Sequence, residues 1–293
     1  MMDRKKLLLL YNPSAGRAQT SRNLDMLLQK FCTGGCETTV YPILDGLNAE
    51  DILAGAESAG YDIVVCCGGD GTLHHTVNGL LRLEQPPLLG YIPSGSTNDF
   101  AASLGLPKTP EDAADAVVNG RPHAIDAGDF GGELFCYVAA FGAFSAVSYE
   151  TPQNMKNAMG HLAYIIEGVK RLPIGEKYPA RVEVGDQVFE EEFLFCSISN
   201  TTSIGGFSLD KSVEATLDDG EFEVLPTSVA EANTIVSKLL ARDFNNELIH
   251  LLHADSVTVH FPTPTKWTLD GEYGGEHTDV SVQVLANALH MVF

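Results

Sequence analysis

Two glycine-rich turns, each placed directly after a short apolar run, constrain the fold of this chain more than any other feature. Gly68-Gly69-Asp70-Gly71-Thr72 follows the β-branched run 62–67, and the turn 93–99 follows the run 88–92. Short strands that alternate with helices predict a parallel sheet with right-handed crossovers, and ligands bind at the carboxyl ends of its strands. Both turns are therefore predicted to lie at the ligand-binding edge of a doubly wound, mainly parallel α/β sheet.

The same alternation extends over the N-terminal part of the chain. Residues 6–11 and 38–44 are predicted as strands, and residues 21–31 and 49–59 as helices. The alternation ends near residues 124–129. We therefore predict a first domain, for nucleotide binding, over residues 1–128.

Residues 129–293 have a different pattern, with long strand candidates at residues 178–184 and 187–199 joined by Gly185-Asp186 as a hairpin turn. Further strand candidates are residues 221–225, 256–261, 265–269 and 280–285, and helix-like stretches occupy residues 154–171 and 229–242. The pattern predicts an antiparallel β-sandwich as the second domain. Whether the last strands of this domain pack back on the first domain stays open.

The charge balance excludes whole classes of partner. The formal net charge is -21, from 18 Lys and Arg against 39 Asp and Glu. Nucleic-acid binding needs a basic face, and anionic lipid attracts polybasic segments, so neither interaction is predicted. No apolar run approaches the roughly 20 residues that a membrane-spanning helix needs. Six scattered cysteines do not form a disulfide scaffold in a chain of this length, so a cytoplasmic protein is predicted.

The first turn has the composition of a phosphate-binding loop. Glycines let backbone N–H groups approach an anion without interference from a Cβ atom, and the following helix adds the positive end of its dipole. Asp70 would repel bare phosphate, so its presence indicates a divalent cation between the two. The alternative, an ordinary tight turn capped by Asp and Thr, is less favoured for the complete five-residue motif.

Three further segments carry polar side chains at predicted strand ends. The turn 93–99 offers neutral donors beside one acid, although the same residues could simply cap a helix. Asp270-Gly271-Glu272 could supply a general base, although by itself it is typical of a hairpin turn. Asp218-Asp219-Gly220-Glu221 could hold a cation through carboxylate and carbonyl oxygens or be a plain turn.

Taken together, these residues resemble the diacylglycerol kinase catalytic-domain family, and within it the bacterial soluble lipid kinases. The resemblance covers nearly the whole chain. It rests on the motifs Asn12-Pro13…Gly16-Arg17, Gly68-Gly69-Asp70-Gly71-Thr72-Leu73, Val77-Asn78-Gly79-Leu80, Pro93…Gly95-Ser96-Thr97-Asn98-Asp99-Phe100-Ala101, Ile125-Asp126-Ala127-Gly128, Asp218-Asp219-Gly220 and Leu269-Asp270-Gly271-Glu272.

The resemblance implies an ATP-dependent lipid kinase whose active site lies in a cleft between the two domains, the second of which binds the lipid. ATP would be held by Asn12, Gly68, Gly69, Asp70, Gly71, Thr72, Ser96, Thr97 and Asn98. The catalytic residues would be Glu272 as general base, Asp270 in support of it, and Asp70 acting through Mg²⁺ near the transferred phosphate. Arg17, Arg22, Asp99 and Asp126 would form a charged network in the cleft. A structural Mg²⁺ would be held by the carboxylate of Asp219 and by Thr216 and Glu221 through their carbonyls.

The chain departs from the family pattern at three places. Ala102 stands where the family often has Arg, Ile43 where it offers Thr near the nucleotide, and His74-His75 where Asn-Glu is common. These departures leave the reaction class intact and put nucleotide affinity and substrate choice in question. The lipid acceptor and the oligomeric state, including a homodimer, stay open.

Other functions are kept as alternatives. They are a kinase for phosphatidylglycerol, a sphingoid base or NAD, and a nucleotide-binding regulator without catalysis. Because the chain is so acidic, we predict that it reaches its lipid by transient apolar contact with the membrane surface. The segment 141–144 and the loop around residues 204–207 are the candidates for that contact.

Overall fold

The computed structural model describes residues 4–15, 19–44, 46–142, 177–201, 203–204, 207–208, 216–228 and 252–293. The helices predicted at residues 154–171 and 229–242 lie outside these ranges. The chain divides into two compact units, Met1–Ile125 with Asn287–Phe293, and Asp126–Ala286. No helix in the described ranges is long and apolar enough to cross a bilayer.

The first unit alternates strands and helices as predicted. Its elements are β1 (Lys5–Tyr11), α1 (Gln19–Thr33), β2 (Cys36–Pro42), α2 (Ala49–Ala54), a 3-10 turn (Glu57–Ala59), β3 (Ile63–Gly68), α3 (Asp70–Leu80), β4 (Leu88–Pro93), α4 (Asp99–Ser103) and α5 (Pro110–Asn119). The strands pair in the order β2-β1-β3-β4, all parallel, and the last residues of the chain add a parallel neighbour to β4.

Both faces of this sheet are buried, which explains the continuous apolar runs of its central strands. Leu7 and Leu9 pack with Phe31 of α1 and Val117 of α5. The alternate residues of β1 point to the opposite face and are also fully buried. Parallel strands covered on both faces are expected to be apolar throughout rather than alternating. The doubly wound prediction agrees with this architecture.

The second unit is built almost wholly from antiparallel strands. They are β5 (Pro122–Phe130, which enters from the first unit), β6 (Glu133–Phe135), β7 (Val138–Gly142), β8 (Tyr178–Val184), β9 (Gln187–Ser199), β10 (Ser203–Ile204), β11 (Phe207–Ser208), β12 (Phe222–Ser228), β13 (Leu252–Ala254), β14 (Ser256–Leu269) and β15 (Glu272–Val292). The predicted hairpin at Gly185-Asp186 joins β8 to β9.

Two long strands, β9 and β14, change their pairing partners along their length. Each pairs with β8 along its first half and with β7 along its second half. Long strands that change partner in this way are how two-layered β structures turn their corners. In β14 the register is irregular between His260 and Thr265, where Pro262 and Pro264 lack the N–H groups that a ladder needs. The sequence pattern had divided β14 into two strands at this point.

Two predictions about this unit are corrected. The last strand was expected over residues 280–285, whereas β15 begins at Glu272 and ends at Val292. Phe141 was a candidate for membrane contact, but its side chain is fully buried and packs on Phe261 and Trp267. Phe144, which shares its candidate segment, lies outside the described residues. The alternating pattern of β7 places Phe141 on the core face.

Candidate active site

The first glycine turn ends β3 and starts α3. A Cβ atom on Gly68 would lie 2.5 Å from the Cβ of Thr72, so the close approach requires glycine. Gly69 is the N-cap of α3 and offers no side-chain hydrogen bond to the first turn of the helix. The first N–H groups of a helix have no partner within it, and they carry the positive end of the dipole. This end of α3 is therefore suited to phosphate.

The two glycine turns touch each other through their backbones. A Cβ atom on Gly95 would lie 2.6 Å from the Cα of Gly69, and the Ser94 N–H donates to the Gly68 carbonyl at 2.8 Å. Only a residue without a side chain fits at Gly95. The two segments that were separately predicted to bind nucleotide thus form one continuous surface at the carboxyl edge of β3 and β4.

Asn98 gives the second turn its shape. Its Oδ1 accepts the Gly95 N–H at 2.8 Å, and its Nδ2 donates to the Gly95 carbonyl at 3.0 Å. Its φ of 55° is left-handed, a conformation that Asn adopts more readily than most residues. Ser96, at the tip of the turn, is exposed, and Thr97 is half-buried. Asn98 therefore holds the turn in place, and Ser96 is the more accessible donor.

Two further contacts join predicted site residues of the first unit. The Asn12 amide donates to the Thr72 hydroxyl at 3.2 Å, and the Asp99 N–H donates to Oδ2 of Asp70 at 3.3 Å. Asn12 is also tied to the end of β3, through its N–H to the Cys67 carbonyl at 2.9 Å. The structure thus brings Asn12, Asp70, the glycine turns and Asp99 together at one edge.

The second candidate centre is the turn between β14 and β15. Asp270, at φ 52°, and Gly271, at φ 85°, are the two left-handed residues that a tight hairpin turn requires. The Asp270 carboxylate is 3% exposed and accepts the N–H groups of Cys136 at 2.7 Å, Tyr137 at 2.9 Å and Val138 at 3.2 Å. The Tyr137 hydroxyl donates to the Asp270 carbonyl at 3.1 Å.

This network leaves Glu272, two positions after Asp270, accessible. The Glu272 side chain is exposed and makes no side-chain hydrogen bond or ion pair within the described residues. Charge-assisted hydrogen bonds to a carboxylate are among the stronger ones, so Asp270 anchors the turn firmly. Asp270 thus positions the turn, and Glu272 is the carboxylate that it presents.

The predicted cation-binding turn lies within the second unit and is braced by Asp126. The Asp126 carboxylate accepts the Gly220 N–H at 2.7 Å, and its own N–H donates to the Leu217 carbonyl at 2.8 Å. Oδ1 of Asp219 accepts the Glu221 N–H at 3.1 Å. Within the described ranges no three His, Cys, Asp or Glu side chains are arranged to hold a metal. A cation here would need main-chain carbonyls, as the prediction for Thr216 and Glu221 assumed.

Two buried polar residues beside this turn were missed by the sequence analysis. Glu223 is 1% exposed, its Oε2 accepts the Thr201 N–H at 3.4 Å, and Oε1 has no partner within the described residues. Burial, together with the nearby carboxylates of Asp219 and Glu221, raises the pKa of Glu223 to about 7. Asn200 is fully buried, donates to the Asp126 carbonyl at 2.9 Å and has an unpartnered Oδ1. The signal in the sequence that could have identified this cluster was Glu223, an acid inside the apolar run of β12.

The remaining predicted residues are placed only in part. Arg17 lies outside the described residues, and Arg22 lies in α1 with its side chain outside the description. Asp99 belongs to the first unit and Asp126 to the second, so the charged network stays a prediction. His75 contacts Glu50 on α2 at 3.0 Å. Burial raises the pKa of the Cys66 thiol to about 12, so it is an inert core residue.

Comparison with known proteins adds to this geometry. Residues 6–130 match the family model described as the diacylglycerol kinase catalytic domain. The chain is 34% identical over 278 residues to a diacylglycerol kinase of Bacillus subtilis (strain 168), covering 92% of this chain and 91% of that protein. A diacylglycerol kinase of Staphylococcus saprophyticus subsp. saprophyticus is 34% identical over 279 residues, covering 93% and 90%.

A solved structure shows the same fold. The crystal structure of a diacylglycerol kinase from Bacillus anthracis str. Sterne superposes with a TM-score of 0.83 at 21% identity, covering 100% of this chain and 98% of that chain. Identity at this level supports the fold alone, whereas the two sequence relatives share a third of their residues over almost their entire length. The chain therefore belongs to the diacylglycerol kinase family, a family of lipid phosphotransferases.

Proposed function

We propose that the protein transfers the γ-phosphate of ATP to a hydroxyl of diacylglycerol or a related lipid, giving phosphatidic acid or its equivalent. The observation that carries the proposal is the turn at Asp270-Gly271-Glu272. An exposed carboxylate, Glu272, is presented by a turn that three backbone hydrogen bonds to Asp270 hold rigid. A general base needs both accessibility and a fixed position.

The nucleotide is assigned to the first unit. The N-terminus of α3 and the backbone of both glycine turns supply N–H donors, and Ser96 supplies an exposed hydroxyl. These neutral donors suit the phosphates of ATP, and Asp70 faces the same edge. Mg²⁺ bound between Asp70 and the phosphates would neutralise charge that develops during the transfer. The donor set fits such an ion, because oxygen ligands are those that Mg²⁺ prefers.

The proton-transfer step is assigned to Glu272. The lipid hydroxyl gives its proton to the Glu272 carboxylate while its oxygen forms a bond to the γ-phosphorus. The bond from the γ-phosphorus to the bridging oxygen breaks, and ADP carries away the electron pair. The proposal requires that the lipid hydroxyl lie between Glu272 of the second unit and ATP on the first, in a cleft. The charged network of Arg17, Arg22, Asp99 and Asp126 is proposed to line that cleft.

A structural Mg²⁺ is assigned to the turn at residues 216–221 of the second unit. Asp219 would contribute its carboxylate, and Thr216 and Glu221 their carbonyls. The turn fits a cation because the Asp126 carboxylate and Oδ1 of Asp219 already orient its backbone through hydrogen bonds to Gly220 and Glu221. Asp126 thus has a positioning role here as well as its proposed place in the cleft.

Transfer of labelled phosphate tests the proposed reaction. ATP labelled at the γ-phosphate would be incubated with detergent micelles that contain diacylglycerol, phosphatidylglycerol or a sphingoid base, or with NAD in solution. We expect label to enter phosphatidic acid and to depend on Mg²⁺. Transfer of label to another acceptor would mean that the acceptor is not diacylglycerol, while the proposed phosphate transfer would stand. Nucleotide binding without transfer to any acceptor would contradict the proposal and favour a regulator.

A further inference from the structure

The polar cluster beneath the turn at residues 216–221 contains two buried oxygen atoms that lack donors. They are Oε1 of Glu223 and Oδ1 of Asn200, and neither has a hydrogen-bond partner within the described residues. Buried acceptors are nearly always satisfied by protein or by ordered water. An acceptor left without a donor loses the hydrogen bond that water gives it in the unfolded chain, and the loss is larger for a charged group. The two residues lie on adjacent segments, since Glu223 accepts a hydrogen bond from Thr201, the residue that follows Asn200. Two such atoms in one cluster indicate a missing donor.

Both residues are connected to the turn by hydrogen bonds. Oε2 of Glu223 accepts the N–H of Thr201, and the adjacent Asn200 donates to the Asp126 carbonyl. Asp126 in turn contacts the turn at both ends, at Leu217 and at Gly220. Ser199, which is paired with Glu223 across β9 and β12, donates its hydroxyl to the Glu223 carbonyl at 3.0 Å. The cluster is thus one continuous structure with the turn above it.

The charges of this region also favour a cation. Asp218, Asp219, Glu221 and Glu223 are four acids within six residues, and Asp219 and Glu221 interact electrostatically with the buried Glu223. A carboxylate in such surroundings is expected to be hydrogen-bonded, paired or bound to a metal. Glu223 has no cationic partner within the described part of the second unit.

We propose that Glu223 and Asn200 form the buried, water-mediated layer of the cation site whose direct ligands come from the turn at residues 216–221. Mg²⁺ dehydrates reluctantly and keeps several of its waters. Those waters are strong donors, which is what Oε1 of Glu223 and Oδ1 of Asn200 lack. The two residues would thereby select a hydrated divalent cation and couple it to strands β9 and β12. This inference rests on the structural cation site proposed above, but not on kinase activity.

Melting of the nucleotide-free protein tests the inference. Wild-type protein, Glu223→Gln and Asp219→Ala would be melted across a MgCl₂ series at constant ionic strength and in EDTA. We expect Mg²⁺ to raise the melting temperature of the wild type, because it binds the folded state. Mutation of a residue that orients the ligands of a metal typically lowers the metal affinity by 10–100-fold. Glu223→Gln should therefore need about tenfold or more Mg²⁺ for the same shift in melting temperature. Asp219→Ala should lose the shift.

Glu191→Gln is the matched control, because Glu191 is exposed on β9 in the same unit and the substitution replaces the same functional group. Its Mg²⁺ dependence should equal that of the wild type. If Glu223→Gln does not fold, Glu223→Met keeps the volume of the side chain while removing both oxygens, and the same loss is expected.

Two results would overturn the inference. The first is a Mg²⁺ dependence unchanged in both Glu223 variants, and the second is a wild type whose melting ignores Mg²⁺ and EDTA. Neither result touches phosphate transfer to lipid, which the labelled-ATP assay measures separately.

Discussion

Two Asp-Gly pairs end buried strands in this protein, and the structure uses them in opposite ways. Asp70-Gly71 follows β3 and starts a helix, so its backbone is that of α3. Asp270-Gly271 follows β14 and forms a hairpin turn in which both residues are left-handed. Oδ2 of Asp70 accepts a long hydrogen bond of 3.3 Å from Asp99, whereas the Asp270 carboxylate accepts three N–H groups, two of them within 2.9 Å.

The comparison shows that the role of an acid depends on what already binds it. A carboxylate whose oxygens accept several backbone N–H groups has little capacity left for a ligand. Asp270 is such a group, so the base that we propose is Glu272, two positions further along the chain, whose side chain is exposed. Asp70 lies instead at the edge where donors for phosphate converge. The same dipeptide thus supplies a structural anchor in one unit and, in the other, the acid that we propose to face the nucleotide.

The largest expected effect is at Glu272. Glu272→Gln keeps the shape of the side chain and removes the base, so kcat should fall by at least about a hundredfold. Because the side chain is exposed, the melting temperature and ATP affinity should stay unchanged. Labelled-phosphate transfer measures kcat, and calorimetric titration measures the ATP affinity. Glu276→Gln, an exposed acid on the same strand, is the control. Near-normal turnover in Glu272→Gln would remove it from the mechanism.

Asp70→Asn should also lower kcat by about a hundredfold, because it removes the charge that faces the cation and the phosphates. In contrast to Asp270→Asn, the loss of kcat in Asp70→Asn should come with little change in the free energy of unfolding. A kinetic titration with Mg²⁺ should show that more of the ion is needed for half-maximal activity. An Asp70→Asn protein with normal kcat and normal Mg²⁺ requirement would show that Asp70 only shapes the turn.

Asp270→Asn should instead lower the free energy of unfolding by about 3 kcal/mol, because hydrogen bonds to a charged group contribute about 1.5–3 kcal/mol each. Asn tolerates the left-handed conformation, so the change isolates the hydrogen bonds from backbone strain. The side-chain NH₂ group of the new Asn would face the N–H of Cys136 or Tyr137, so a donor would meet a donor. Urea unfolding measures the loss, with Asp186→Asn in the exposed β8–β9 turn as control. Equal stability of the two variants would refute the anchoring role.

Gly95→Ala tests the contact between the glycine turns. The added methyl group would meet the Gly69 backbone at 2.6 Å, so the turns must separate. We expect a loss of about 2 kcal/mol in stability, typical of forced overpacking, together with weaker ATP binding. Gly105→Asn is a suitable control, since nothing lies within 4 Å of that position and Asn accepts its positive φ. ATP affinity unchanged in Gly95→Ala would separate the second turn from the nucleotide site.

The smallest expected effect is that of Tyr137→Phe. It removes the hydrogen bond from the Tyr137 hydroxyl to the Asp270 carbonyl, which should lower stability by about 1 kcal/mol. If the turn positions Glu272, kcat should fall slightly while the KM for ATP stays constant. A change confined to the KM for ATP would place Tyr137 with the nucleotide and not with the base.

Much of this architecture could be predicted from sequence because its signals are local. The apolar runs of β1, β3 and β4, the glycines after them and the Asp-Gly hairpin turn act over a few residues. Pro262 and Pro264 predicted a break in β14, because proline normally ends a strand, whereas here the strand continues with an irregular register. The length of β15 was missed because several of its residues are exposed and carry no alternating pattern.

The sequence by itself determined which residues could do chemistry and that glycine had to stand at the two turns. Only the tertiary structure decided which of those residues is buried and hydrogen-bonded and which is left accessible. Asp270 is saturated because Cys136, Tyr137 and Val138, more than 130 positions away in the chain, meet it across β7 and β14. Glu223 and Asn200 are buried together because β9 pairs with β12 in one particular register. Strand register follows from the packing of the whole core, and no local pattern encodes it.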